Sequence, residues 1–295
     1  MDIKDVLAEI DESYHHGRTP QTEQLILTRA EQIRQEYGEN HVNYAVILSE
    51  LSALYRGTSQ FEKAKKTFLQ VNRILEETVG KHHPDYATAI NNLAGLYRLT
   101  GEFDQAMRLF QESIQIYEHT IGKDHYLYAS ALNNLGLLYQ DMGEYEKAIA
   151  LHEQGLAIIT KLDDQSMEYA TSLNNLASAY RAVGQYQQAE QMLNQALDFY
   201  EKLTSNQHPI YASALNNLAS LYYAQGNYSQ ALFCYEQTFG ILKNAFGLNH
   251  KDVGTAAQNL ALVYEQLNHP KEAAQYHAMA SSIFQRVLGD QSSRE

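Results

Sequence analysis

The sequence predicts an all-α protein, a solenoid of stacked antiparallel helix pairs. Three observations carry this expectation. A sequence unit returns about every 42 residues, a helix breaker stands inside every copy, and only four prolines occur among 295 residues, which leaves room for long helices.

The register is set by a pair of adjacent amides. Asn91-Asn92-Leu93, Asn133-Asn134-Leu135, Asn174-Asn175-Leu176 and Asn216-Asn217-Leu218 recur, with Gln258-Asn259-Leu260 a close variant and Ser49-Glu50-Leu51 a distant one. Neighbouring copies are 42 residues apart, apart from one interval of 41 around Asp163-Asp164. One residue after each leucine comes Ser52, Ala94, Gly136, Ala177, Ala219 or Ala261, and three further on Tyr55, Tyr97, Tyr139, Tyr180, Tyr222 or Tyr264. These form a first helix of about fifteen residues, within the usual range.

A breaker follows: Ser59, Gly101, Gly143, Gly184, Gly226 or Asn268. Glycine, and less readily asparagine, adopts the left-handed conformation that ends a helix, so a turn is expected here. Two residues later stands Phe61, Phe103, Tyr145, Tyr186 or Tyr228, with Pro270 in the last copy, then Ala64, Ala106, Ala148, Ala189, Ala231 or Ala273. A second helix nearer twenty residues runs on to Gly80, Gly122 or Gly247. Six such units fill residues 41–290, followed by a tail at 291–295. Residues 1–40 read as a decayed first unit with a capping role, because Ile10 and Tyr14 lie 41 residues before Leu51 and Tyr55. At the other end, Ala273, Ala274, Ala278, Met279, Ile283 and Phe284 have no following unit. They pack on their own first helix, or a homodimer contact through the C-terminal repeat covers them.

The pattern Leu-[small]-x-x-Tyr-x-x-x-Gly-x-[Tyr/Phe]-x-x-Ala resembles the tetratricopeptide repeat. The spacing, and the linkers Gly80-Lys81-His82-His83-Pro84 and Gly122-Lys123-Asp124-His125, are similar to the longer variant of kinesin light chains and many bacterial relatives. This resemblance implies a right-handed superhelical solenoid whose first helices line a concave surface. It also implies a role for Asn92, Asn134, Asn175, Asn217 and Asn259, which match the position at which related repeats hydrogen-bond the main chain of an extended peptide.

A step of 100° per residue along 128–140 places Tyr128, Ala131, Leu132, Leu135, Gly136, Leu138 and Tyr139 on a core arc, and Ser130, Asn133, Asn134, Leu137 and Gln140 on the other. A carboxamide carries both donor and acceptor and so can satisfy both groups of a peptide backbone. The preceding amides, Asn91, Asn133, Asn174 and Asn216, lie about 100° away, where they either join this surface or bridge neighbouring first helices. Further along come Arg56, Arg98, Gln140, Arg181, Tyr223 and Glu265. Three arginines there suggest a strip that pairs carboxylates, against the alternative of ordinary solvated charge. Tyr223 would supply an aromatic wall, while Thr88, Ser130, Thr171, Ser213, Gly95, Ser178 and Ser220 leave room for a bound chain.

Other chemistry is not indicated. With 35 acidic against 22 basic residues, the net charge of -13 disfavours nucleic acid and anionic membrane. No run approaches the roughly 18 apolar residues of a membrane span, and the first residues, MDIKDVLAEIDESYHHG, lack the pattern of a secretory signal. The lone Cys234 reads as a packed residue, consistent with a reducing cytoplasm. His41, His83, His125, His208 and His250 fall one per inter-unit turn, near helix starts, which favours turn and capping roles over metal binding. His15-His16 and His82-His83 lack further ligands at metal spacing, and His152-Glu153 lacks a second histidine. No phosphate loop, nucleophile elbow or dinucleotide fingerprint is present. The expectation is a cytoplasmic, non-enzymatic adaptor without cofactor or metal that binds an extended, acidic segment of a protein partner. A sensor for a small molecule or signalling peptide, and an assembly factor for an enzyme, are the alternatives.

Overall fold

The computed structural model describes residues 2–14 and 19–292; His15, His16 and the last tail residues, 293–295, lie outside them. Its described residues form helices only. They fall into two compact units, residues 1–144 and 145–295.

The first unit holds α1 (Ile3–Tyr14), α2 (Pro20–Tyr37), α3 (Val42–Gly57), α4 (Phe61–Thr78), α5 (Pro84–Leu99), α6 (Phe103–Thr120) and α7 (Tyr126–Asp141). Each packs against the next in the chain, and α5 also meets α7. The second unit holds α8 (Tyr145–Leu162), α9 (Met167–Ala182), α10 (Tyr186–Leu203), α11 (Pro209–Ala224), α12 (Tyr228–Phe246), α13 (Lys251–Gln266) and α14 (Pro270–Ser292). It is joined in the same way, with α9 also meeting α11. First helices touching first helices, with second helices between, is the packing of a helix-pair solenoid.

The repeated residues occupy the places their chemistry requires. Leu51, Leu93, Leu135, Leu176, Leu218 and Leu260 are all buried, each contributing about 1.5–3 kcal/mol by leaving water. The alanines Ala64, Ala106, Ala148, Ala189 and Ala231 are fully enclosed, which a larger side chain at a close helix crossing would prevent. The breakers do adopt positive φ, from 77° to 79° at Gly101, Gly143, Gly184 and Gly226, and 60° and 58° at Ser59 and Asn268. Around each, the tyrosine carbonyl five residues earlier accepts the N–H following the breaker, as in Gln60 N to Tyr55 O and Asn227 N to Tyr222 O, both 2.8 Å. This closes the helix end with its own backbone.

The recurrent histidines start the first helices. Nδ1 of His41, His83, His125, His208 and His250 accepts the N–H two residues on, at 3.1–3.3 Å, in place of the usual Ser or Asp cap. After the shortened linker, Ser166 does this for α9 through the Tyr169 N–H.

The second-helix slot of Phe68, Phe110, Leu193 and Tyr235 is filled by His152 in α8, where burial holds the imidazole neutral and its pKa down to about 4. Cys234 is buried, and its thiol is pushed up to about 11 for the same reason, so it packs as a small apolar residue. In the last pair, Ala273 and Ile283 are buried and only Ala274 and Ala278 of the six terminal residues named above are exposed. Gly254 makes this closure: a Cβ there would stand 2.8 Å from the Phe284 ring, so a residue that is alanine in the other five repeats is absent here. Among the described residues no helix is long and apolar enough to cross a membrane.

Candidate functional site

The amide pair does different work at its two positions. Asn91, Asn133 and Asn174 are each 8% exposed and belong to the interior, not to the open face that the helical wheel assigned to Asn133. Asn92, Asn134, Asn175, Asn217 and Asn259 are half-buried. In the second unit the two sets are connected. Asn217 Nδ2 donates to Asn174 Oδ1, and Asn259 Nδ2 to Asn216 Oδ1, each at 2.9 Å. The second amide of one repeat thus bridges to the first amide of the repeat before it. A side chain that must accept while enclosed and one that must donate at its edge explain why two asparagines stand in mid-helix despite their weak helix propensity. Each bridging Nδ2 keeps a second N–H, and among the described residues the Oδ1 atoms of Asn217 and Asn259 have no donor, so a donor and an acceptor are left at each.

In the first unit the corresponding bond is not made. Asn91 Oδ1 is enclosed without a hydrogen-bond partner, and Asn134 is not joined to it. Asn134 therefore presents a whole carboxamide.

The small residues expected to leave space are partly used by buried tyrosines from the second helices. Thr88 Oγ1 shares a hydrogen bond with the Tyr117 hydroxyl at 2.8 Å, the Tyr200 hydroxyl donates to Thr171 Oγ1 at 3.1 Å, and Ser220 Oγ pairs with the Tyr235 hydroxyl at 2.9 Å. Burial pushes the Tyr117 hydroxyl up to about 12. Sequence reasoning did not single out these tyrosines; their signal is a hydroxyl on the core-facing side of a second helix, opposite a Thr or Ser of the paired first helix. A second set joins neighbouring repeats. The hydroxyls of Tyr55, Tyr180, Tyr222 and Tyr264 donate to Glu23, Glu153, Glu190 and Glu236, one repeat earlier, and burial together with these carboxylates raises each to about 12.

The arginines differ among themselves. Arg98 Nη1 pairs with Asp141 Oδ2 at 2.6 Å, linking α5 to α7. Arg56 lies against the first unit's own surface: its Nη1 is 3.3 Å from where a Cβ on Gly95 would be, and its guanidinium carbon is 5.9 Å from the Phe68 ring centre. Arg181 is half-buried, its Nε is enclosed with no acceptor, and among the described residues no carboxylate pairs with it. Its charge reaches Tyr235, opposing the rise that burial imposes on that hydroxyl. Tyr223 is half-buried and held edge-on to Tyr228, ring centres 5.4 Å apart, while Gln140 is half-buried near the end of α7. Among the described residues no three His, Cys, Asp or Glu side chains converge as a metal site.

Comparison with known proteins agrees with this architecture. A model described as tetratricopeptide repeat matches residues 60–119, 85–161, 127–202, 168–244 and 211–286. No curated protein matches the chain. Among solved structures, BtubC (BKLC) from P. vanneervenii is 24% identical with a TM-score of 0.59, over 80% of this chain and 93% of its own. A Podosopora anserina protein of kinesin light chain type, with nearly identical TPR-like repeats, is 27% identical with a TM-score of 0.54, over 70% and 98%. A Rap protein complexed with Competence and Sporulation Factor is 16% identical, with a TM-score of 0.75, over 97% of this chain and 74% of its own. Matched over most of its length, and with the helix pairs seen throughout, the chain belongs to the tetratricopeptide repeat family.

Proposed function

We propose that this protein is a non-enzymatic adaptor whose amide-bearing first helices hold an extended segment of a protein partner. The observation that carries the reading is the half-buried carboxamide series, above all Asn134, whose donor and acceptor are both unspent, with Asn217 and Asn259 fixed in orientation by their bonds to Asn174 and Asn216. An orientated carboxamide offers a backbone-reading pair without the entropy cost of ordering a free side chain, and it selects extended main chain over any particular side-chain sequence.

The test is an array of nine-residue peptides of randomised sequence, probed with the wild-type protein and with a triple variant, Asn134→Ala, Asn175→Ala and Asn217→Ala. Loss of array binding, with helicity retained by circular dichroism, is expected. Undiminished binding by the triple variant refutes the reading. A sensor of a small molecule or signalling peptide is the second reading, and it is supported by the shared fold of the Rap protein that was solved in complex with Competence and Sporulation Factor. A ligand-induced compaction in solution scattering would favour the sensor. An assembly factor would differ from the adaptor only in the identity of its partner.

A further inference from the structure

Gly240 stands inside α12, where glycine is a poor helix former. Gly95 and Gly254, also within helices, each have a neighbour that crowds a larger residue, the Arg56 guanidinium and the Phe284 ring. Gly240 has none: a Cβ there would meet nothing within 4 Å, so no contact among the described residues accounts for it. Two turns earlier on the same face stands Phe233, 61% exposed, more than any other large apolar side chain among the described residues. Phe233 and Gly240 share their stripe with Gln230, Gln237 and Asn244, and none of these five is charged. The corresponding stripes of the other second helices are charged, through Arg73 in α4, Arg108 in α6, Lys161 in α8, Lys202 in α10 and Arg286 in α14. Beside the stripe, Glu236 is held toward α13 by the Tyr264 hydroxyl, which donates to it at 2.9 Å.

We propose that this stripe docks a second copy of the same chain, α12 lying antiparallel on α12, with Phe233 of each copy seated over Gly240 of the other. A two-fold axis passing between the two positions exchanges them, so one knob and one notch on a single helix make a closed, self-complementary contact. The missing side chain at Gly240 gives each ring a place against the facing backbone, about 10.5 Å along the helix from its own. Charge selects the same occupant. A chain of net charge -13 repels its own copies over most of its surface and pairs at least cost where neither side presents a charge, whereas a charged partner gains nothing from this stripe. Pairing through one helix makes a small interface of the transient class, below about 1,200 Å², so the dimer is a micromolar one. The inference does not rest on the peptide-binding reading: Asn217 and Asn259 lie on the first helices α11 and α13, and the pairing uses neither.

The experiment is sedimentation equilibrium of the full chain across the micromolar range, with the mass expected to rise toward twice that of one chain. Phe233→Gln, which copies Gln191 of α10, and Gly240→Gln, which copies Gln115 of α6, should each weaken pairing about tenfold or more. Gly240→Gln should at the same time raise the thermal midpoint of the chain, because a better helix former replaces glycine where there is room for it. Mixing the two variants restores one intact seat, Phe233 of one against Gly240 of the other, so the mixture should pair more tightly than either variant alone. Added salt screens the repulsion between copies and should tighten the wild-type dimer. A wild type that stays monomeric throughout overturns the proposal and leaves the stripe to a different partner. A dimer unmoved by both variants, or one loosened by salt, places the contact on another face and overturns it equally. Variants that dissociate but do not complement each other overturn the seating of Phe233 on Gly240.

Discussion

Replacing Asn217 by alanine tests whether the amide pair is a structural bridge. Asn217 Nδ2 lies 2.9 Å from Asn174 Oδ1, and Asn174 is only 8% exposed. Asn217→Ala therefore leaves an enclosed carbonyl without its donor, a loss of about 1–3 kcal/mol. Asn174→Ala leaves the half-buried Asn217 amide, which turns to water, so the cost falls near the net value of one hydrogen bond, about 1 kcal/mol. Because both variants delete the same bond, the double variant should cost about 1 kcal/mol less than the two singles together. Urea unfolding followed by circular dichroism gives all four stabilities. Singles that add to within about 0.3 kcal/mol would refute the bridge and return both amides to solvent.

Three further outcomes are expected. His152, buried and held to about 4 against an unfolded value near 6.5, binds its proton more readily in the unfolded chain, so stability is complete above pH 6.5 and falls as pH drops toward 4, by about 3 kcal/mol at the acid limit; His152→Phe, matching Phe68 and Phe110, should remove that part of the urea-midpoint slope, and an unchanged slope would disprove it. The hydroxyls of Tyr55, Tyr180, Tyr222 and Tyr264, raised to about 12 from an unfolded value near 10, contribute stability that is whole below pH 10 and is lost as pH climbs through 12; Tyr222→Phe should cost about 1 kcal/mol at neutral pH and lower the ultraviolet-detected count of late-titrating tyrosines by one. Ser59 holds φ at 60°, so Ser59→Gly should raise stability by roughly 1 kcal/mol in thermal melts, and a loss would mean that its side chain matters more than its backbone.

Much of the fold was legible because its signals are local. The breakers Gly101, Gly143, Gly184 and Gly226 announce their positive φ, and the alanines Ala64 to Ala231 announce close helix crossings, through stereochemistry that acts within a few residues. The cap role of the histidines was legible for the same reason, since Nδ1 reaches an N–H only two residues away. The candidate site was legible as residue types on a helix face but not as a set of bonds. The wheel set Asn133 on the arc opposite the core and left open whether the first amides join that surface or bridge neighbouring first helices; Asn133 lies inside, and the bridge is made at Asn174 and Asn216, because a wheel describes one helix without its neighbours.

The sequence by itself determined the repeat, the helix pairs, the turns and which residues form the core. Only the tertiary structure decided that Asn217 reaches Asn174, that Arg98 is spent on Asp141, and that the Arg181 Nε is enclosed without an acceptor among the described residues. The partners in both bonds are 43 residues apart in the chain, one repeat and one step, and what brings them to 2.9 and 2.6 Å is the rise and rotation between stacked pairs. That offset is set by the summed packing of whole helices and is encoded in no single repeat.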